Sequence, residues 1–400
     1  MSQLDEKKRI VTADQVYFDV TVSNFQSTTT EPPIFYYNEQ RTMPFITCPE
    51  DYYLSIIRFS MGTGSLPVFI PSITPDQANR NLTIYKITLE VVIGATTYTQ
   101  TNNIVWSPQN TSASIPPAPN TTANKLQVND TGYYNCYNFT WWTQLITDTF
   151  KTCFDALNTT VIAAGGTLPS AYAPVAYWDS TSNGLVLYAD TAGYNDDPAI
   201  VGFEEIKIYF NAPLYELFPS LPATYLGYAS APTNRNFRLS VRNIGSTNLT
   251  TITPYAAIPS VPPVTYRAIT LYQETSTISD MTPITAIVFT SNTLPIQPNQ
   301  VSTPLVFNDA GQVALGGNNS DIANIITDIV SDSGQYRPNL VYEPSAEYRL
   351  ITLYGNRPLF NLDIQIFYKL KTGQLIPFRV PSGQTVTLKI AFIKKPPRVI

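Results

Sequence analysis

Two tripeptides offer the clearest prospect of chemistry in this sequence: Asp130-Thr131-Gly132 and Asp332-Ser333-Gly334, one in each half of the chain. Two carboxylates that share one proton can activate a water between them, as in aspartic proteases with one such aspartate in each β-lobe. That chemistry needs each aspartate to end a stiff apolar strand. Here Asn129 precedes the first and Ser331 the second, and the first follows a polar loop. Both tripeptides therefore read as turns. The chain has no histidine, which removes Ser-His-Asp and Cys-His catalysis and every imidazole metal site. Cys48, Cys136 and Cys153 form no Cys-x-x-Cys pair and read as small buried hydrophobes. Gly316-Gly317-Asn318-Asn319 lacks the Lys-Ser/Thr of a phosphate loop and reads as a turn. The acidic pairs Asp196-Asp197 and Glu204-Glu205 could bridge subunits through a cation, but solvated loop charge is the simpler reading. Trp141-Trp142 with Tyr133, Tyr134 and Tyr137 form an aromatic cluster with two readings, core packing or a platform for carbohydrate or a receptor. No catalytic, cofactor-binding or metal-binding residue is assigned, and the chain is expected not to be an enzyme.

The elements that would carry these groups are mostly strands. Alternation or β-rich composition predicts strands over Val16–Val22, Leu54–Phe59, Ile84–Ile93, Tyr133–Phe139, Val175–Trp178, Gly184–Tyr188 and Glu205–Phe210. The period changes once among them. Trp142, Ile146, Phe150, Cys153 and Leu157 fall four, four, three and four apart, one face of an amphipathic helix near 141–158. The proline-rich run 211–222 predicts a domain boundary. Beyond it come strands at Phe237–Arg242, Tyr266–Tyr272, Ile284–Phe289 and Leu305–Phe307. A second helix is predicted near 320–331 from Ile322, Ile325, Ile326, Ile329 and Val330, behind the capping pair Ser320-Asp321.

The chain closes on its best-specified stretch. Leu362, Ile364 and Ile366 alternate with Asp363, Gln365 and Phe367, and Val386, Leu388, Ile390 and Phe392 with Thr387, Lys389 and Ala391. That is the period of half-buried strands. Leu362, Ile364, Ile366, Leu388, Ile390 and Phe392 are thus expected in the core. Tyr348-Arg349-Leu350-Ile351, Leu362-Asp363-Ile364-Gln365-Ile366-Phe367-Tyr368-Lys369 and Gly373-Gln374-Leu375-Ile376-Pro377-Phe378 resemble the C-terminal end of jelly-roll capsid proteins of small icosahedral DNA viruses, of the polinton-like virus and virophage type. Ile284–Pro295 is a weaker echo of the same pattern.

Composition agrees with an assembling β-protein. Charged residues make up only 13% of the 400, against about a quarter in ordinary domains, and there are 33 prolines. A surface poor in charge loses less hydration when it is buried against neighbours. Lys7, Lys8 and Arg9 at one end and Lys394, Lys395 and Arg398 at the other are too few to neutralise a genome, so there is no strong nucleic-acid signal. No apolar stretch near the N-terminus reads as a signal peptide. The expected fold is all-β, an antiparallel jelly-roll sandwich, two in tandem with one inserted helix each: residues 1–215 and 216–400. The resemblance implies a capsid structural protein in the virion, assembled inside the host cell. Its partners would be copies of itself and other capsid proteins, with a host receptor as a further candidate. A trimeric major capsomer subunit is favoured. The alternatives are a pentameric vertex or minor capsid protein, and a receptor- or glycan-binding spike.

Overall fold

The computed structural model of the chain describes residues 14–25, 32–75, 79–119, 127–197, 205–227, 234–253, 265–301, 305–307, 313–315, 321–330, 339–343 and 349–396. It divides into two compact units, one built from both ends of the chain (Met1–Leu66 with Ile284–Ile400) and one from Pro67–Pro283. The first unit begins with β1 (Gln15–Ser23), β2 (Tyr36–Gln40) and β3 (Tyr52–Gly62). The second contains β4 (Leu82–Ile93), β5 (Thr96–Val105), α1 (Phe139–Ala163), β6 (Val175–Asp179), β7 (Gly184–Asp190), β8 (Ile206–Phe210), β9 (Ala223–Tyr225), β10 (Phe237–Leu239), β11 (Leu249–Ile252) and β12 (Tyr266–Tyr272). The first unit then resumes with β13 (Ile284–Thr290) and the short strands β14 (Asn299–Val301), β15 (Leu305–Phe307), β16 (Val313–Leu315) and β17 (Asp321–Ala323). It ends with β18 (Ile325–Val330), β19 (Asn339–Tyr342), β20 (Ile351–Thr352), β21 (Asn361–Leu370), β22 (Leu375–Pro377) and β23 (Thr385–Lys394).

In the first unit one sheet has the order β1-β23-β3-β19 and the other β18-β13-β21-β2, every pair antiparallel. The chain steps between the sheets as β1, β2, β3, then β13 and β18, then β19, β21 and β23. This is the wiring of an eight-stranded jelly roll. The inner faces meet through Phe59 of β3 and Phe289 of β13, whose rings stand edge-on with centroids 4.9 Å apart. Leu362, Ile364, Ile366, Leu388, Ile390 and Phe392 are all buried, as their alternation requires.

Two bulges decide which side chains reach this core. In β3, Ile56 and Arg58 pair with Ile390 and Lys389, so Ile57 has no opposite residue. The extra residue reverses the phase, and Leu54 and Ile56 before it and Phe59 and Met61 after it all point inward. In β18, Ile325 and Thr327 pair with Thr290 and Phe289, leaving out Ile326. Ile326 and Ile329, three residues apart, are thereby buried together. The helix predicted near 320–331 is therefore corrected to strand. A three-residue apolar spacing mimics a helix, but the run is β-branched, and such side chains pack better on a pleated surface than in a helix.

The second unit is built from hairpins. Its sheets run β5-β4-β8-β10-β9 and β11-β12-β7-β6, with β4/β5, β6/β7, β9/β10 and β11/β12 each adjacent in sequence and in space. This is not jelly-roll order, so the tandem plan is corrected to one jelly roll interrupted between β3 and β13. The helix expected near 141–158 is α1. Asn138 caps it by accepting the Trp141 amide at 2.8 Å. Its buried stripe, Trp142, Ile146, Phe150, Cys153, Leu157 and Val161, shares one core with Ile87 and Leu89 of β4, Ile208 and Phe210 of β8, Leu187 of β7 and Ile269 of β12.

The boundary expected at 215/216 falls inside this unit. The proline-rich run there is a short buried helix, Ala212–Glu216, with Pro213 at its first turn, Asn211 as its cap, and Leu214 and Phe218 in the core. Tyr133–Phe139 is not a strand either. It makes a single bridge, Cys136 to Phe69, before α1 begins.

Candidate assembly surfaces

Among the described residues, most groups singled out for chemistry are accounted for by turns, ion pairs or packing. Asp130 is exposed on a turn that Gly132 completes at φ 71°. Asp332-Ser333-Gly334 lies outside the described residues, as does Gly316-Gly317-Asn318-Asn319. Asp196 accepts from Arg242 Nε at 3.0 Å, and Glu205 from Arg238 Nη2 at 2.5 Å, so arginines already neutralise these carboxylates. Glu204 lies outside the described residues. Among the described residues no group of three or more Cys, Asp and Glu side chains is placed to hold a metal.

Cys136 and Cys153 are buried, and burial pushes both thiols up to about 12, well away from reactive thiolates. Cys48 is half-buried, free, and raised by burial with Asp51 and Glu50 beside it. The aromatic cluster is core. Trp142, Tyr133 and Tyr134 are buried, and Trp141, half-buried, donates its indole N–H to Ser107 O at 2.9 Å.

Alternation places Asp363 on the outer face of β21, yet it is 1% exposed. It accepts from Ser291 Oγ at 2.6 Å, Thr293 Oγ1 at 2.7 Å, Thr293 N at 2.9 Å and Asn292 N at 3.0 Å. Burial alone would raise its pKa, but the bonds from Ser291, Thr293 and the two backbone amides outweigh it and hold the carboxyl below its ordinary range. The knot ties the segment leaving β13 onto β21, the strand that carries the edge strand β2. The sequence signal was Ser291-Asn292-Thr293 directly after an apolar strand, three short polar residues with donors to spare and no partner visible in linear order.

The first unit also shows where it can meet neighbours. Among the described strands its sheet edges are β1 and β19 with β20 on one sheet, and β2 with β22 and β18 on the other. Exposed apolar side chains gather on β1, β2 and their flanks: Tyr17, Phe25 (79% exposed), Ile34, Tyr36 and Met43 (74%). Arg41 N bonds Phe360 O at 2.9 Å, which brings the exposed Phe360 beside the Met43 end of β2. An edge strand with unpaired backbone groups and apolar side chains at both ends is a ready interface unless it is covered. On the outer face of the other sheet, Asp19 of β1 is flanked by Arg58 at 3.1 Å and Lys389 at 3.8 Å. Such exposed pairs add little stability but set which charge a neighbour must present.

Comparison with known proteins agrees with this architecture. A family model described as Sputnik minor capsid protein V18/19 matches residues 16–394. "Structural protein V19" of the Sputnik virophage is 29% identical over 220 residues, which is 55% of this chain and 93% of that protein. "Uncharacterized protein V18" of the same virophage is 32% identical over 153 residues, 37% of this chain and 87% of its own length. A chain in the 3.5 Å cryo-EM structure of the Sputnik virophage superposes with a TM-score of 0.75 at 28% identity, covering 96% of this chain and 98% of that one. The mavirus penton protein superposes with a TM-score of 0.57 at 12% identity, covering 96% and 100%, a likeness of fold.

Proposed function

This chain belongs to the Sputnik V18/19 family of minor capsid proteins, and we propose that it works as the pentameric subunit at the vertices of an icosahedral virion. It is a capsid structural protein, and its role rests on association with copies of itself and with other capsid proteins. The major-capsomer reading favoured by the sequence gives way to the minor capsid alternative, since the family and its curated relative are minor capsid and structural proteins.

The observation that carries the vertex reading is the single jelly roll. A chain with two tandem jelly rolls contributes two similar lobes, so three chains approximate a six-fold block. A chain with one contributes one wedge, and five wedges close a five-fold ring. The fold likeness to the mavirus penton protein supports the same reading. Because Pro67–Pro283 is inserted between β3 and β13, the eight-strand wiring is left intact.

Contacts between wedges are assigned to the β1–β2 side of the jelly roll, where Tyr17, Phe25, Tyr36 and Met43 are exposed. The double substitution Tyr36→Asp with Met43→Asp tests this. It should leave the melting temperature of the isolated chain unchanged and abolish the ring. A ring that survives both charges moves the contact elsewhere. A tag on the chain that labels the faces of purified virions, and not their vertices, would end the vertex reading itself.

A further inference from the structure

The aromatic platform that the sequence suggested at Tyr133–Trp142 is buried, but a different set of rings reaches the surface of the same unit. In the sheet β11-β12-β7-β6, Trp178, Leu185, Leu187, Ile269 and Leu271 face the core. The alternate residues face the other way. Tyr177 pairs with Val186, and Val186 with Tyr272, in one row across three strands. The next row is Val175, Tyr188 and Thr270. Tyr177 and Tyr272 are each 52% exposed, Tyr188 is half-buried, and Val186 between them is buried. Thr270 is buried on this face, and its hydroxyl has no hydrogen-bond partner among the described residues.

We propose that Tyr177, Tyr188 and Tyr272 form a platform that binds neutral carbohydrate. The outer rings stand two strand spacings apart, about 10 Å, the reach of a disaccharide. A sugar ring offers an apolar C–H face to lie against a phenol ring and hydroxyls that can meet the tyrosine O–H groups.

Charge selects the class of sugar. No lysine or arginine lies between Lys151 and Lys207, or between Arg267 and Arg337, so β6, β7 and the outer row of β12 carry no cation. An ionisable acid at the rim is Asp179, at the end of β6, and Glu274, exposed two residues beyond Tyr272, adds a second. The Asp179 carboxylate accepts from Ser182 Oγ at 2.7 Å, Thr181 N at 3.0 Å and Ser182 N at 3.2 Å. Those bonds, Ser182's first, hold it below the ordinary carboxylate range and so ionised at neutral pH. The Tyr188 hydroxyl is raised by burial first and then by Tyr272, Tyr177 and Asp179. An acidic sugar would meet a carboxylate with no counter-ion, whereas a neutral one can donate to it.

The test uses the full chain and saturation-transfer NMR with lactose, cellotriose, mannotriose and N,N′-diacetylchitobiose, with 3′-sialyllactose as the charged comparison. At least one neutral sugar should bind saturably, with little dependence on salt. The double variant Tyr177→Ala with Tyr272→Ala should weaken it at least about tenfold. Tyr177→Phe with Tyr272→Phe should retain most of the affinity, and an unchanged melting temperature certifies the fold of each variant. No binding of any neutral sugar, a preference for sialyllactose, or equal binding by the alanine variant would overturn the proposal. So would an alanine variant that changes only the mass of the assembly, which would make the face a contact between copies.

Discussion

Replacing Asp363 by asparagine keeps the shape of the buried knot and removes its charge. The carboxylate accepts from two hydroxyls and two backbone amides. All four donors converge on Oδ1, so an amide can keep its oxygen there, while its N–H₂ group takes the place of Oδ2 and faces the Asn292 amide, which cannot accept from it. A hydrogen bond to a charged acceptor contributes about 1.5–3 kcal/mol, and a buried donor left unmet costs about 1–3 kcal/mol. With the four bonds kept at Oδ1 but their charge-assisted part lost, Asp363→Asn should destabilise the jelly-roll unit by about 2–4 kcal/mol at neutral pH.

The pH dependence has a fixed sign. The folded-state pKa of Asp363 is lowered, so its contribution is full above the unfolded carboxyl value and is lost as pH falls through the folded one. The gap between the parent and Asp363→Asn should therefore be widest above about pH 5 and close toward acid. All four tryptophans, Trp106, Trp141, Trp142 and Trp178, lie in Pro67–Pro283, so indole fluorescence follows the other unit and serves as an internal control. Hydrogen exchange at the Asn292 and Thr293 amides, with urea unfolding followed by far-UV circular dichroism, reads the knot itself. Equal urea midpoints, or a gap that grows as pH falls, would refute the reasoning.

Further substitutions test other parts of the fold. Ile390→Ala removes a fully buried side chain beside the β3 bulge and should cost about 2–5 kcal/mol in chemical unfolding; a cost near zero would mean the closing strand is not central. Trp142→Ala, at the start of the buried face of α1, should cost about 3–5 kcal/mol and lower the midpoint of the indole transition. In the native protein Ellman's reagent should modify Cys48 alone, with Cys136 and Cys153 reacting only after unfolding; three equal rates would contradict the burial assigned to them.

What could be read from the sequence was what local periodicity encodes. α1 was legible because its apolar residues keep a 3.6-residue period through Trp142, Ile146, Phe150, Cys153 and Leu157, and the closing strands because they alternate without interruption. β3 and β18 were harder, since a bulge in each breaks the alternation, and in β18 the break imitates a helix. The division into units was illegible because it rests on pairings between distant segments. β1 and β3 find β23, and β2 finds β21, across the whole inserted unit, and no local feature near Leu66 or Ile284 announces the insertion. The prolines near 211–222 suggest a domain boundary, with room for a single helical turn, and that turn is Ala212–Glu216; the boundary is absent because composition does not tell a capped, buried turn from an exposed one. The surface rings followed the same rule. The adjacent aromatics Trp141-Trp142 drew notice and are packed at the core, whereas Tyr177, Tyr188 and Tyr272 meet only once three strands are laid side by side.

The vertex assignment is tested most directly by the mass and symmetry of the purified protein. Light scattering on a single chromatographic peak, with class averages of negatively stained particles from the same fractions, should give five times the chain mass and five-fold rings. Three-fold particles with a six-sided outline, or a monomer that persists at high concentration, would contradict the pentameric vertex subunit.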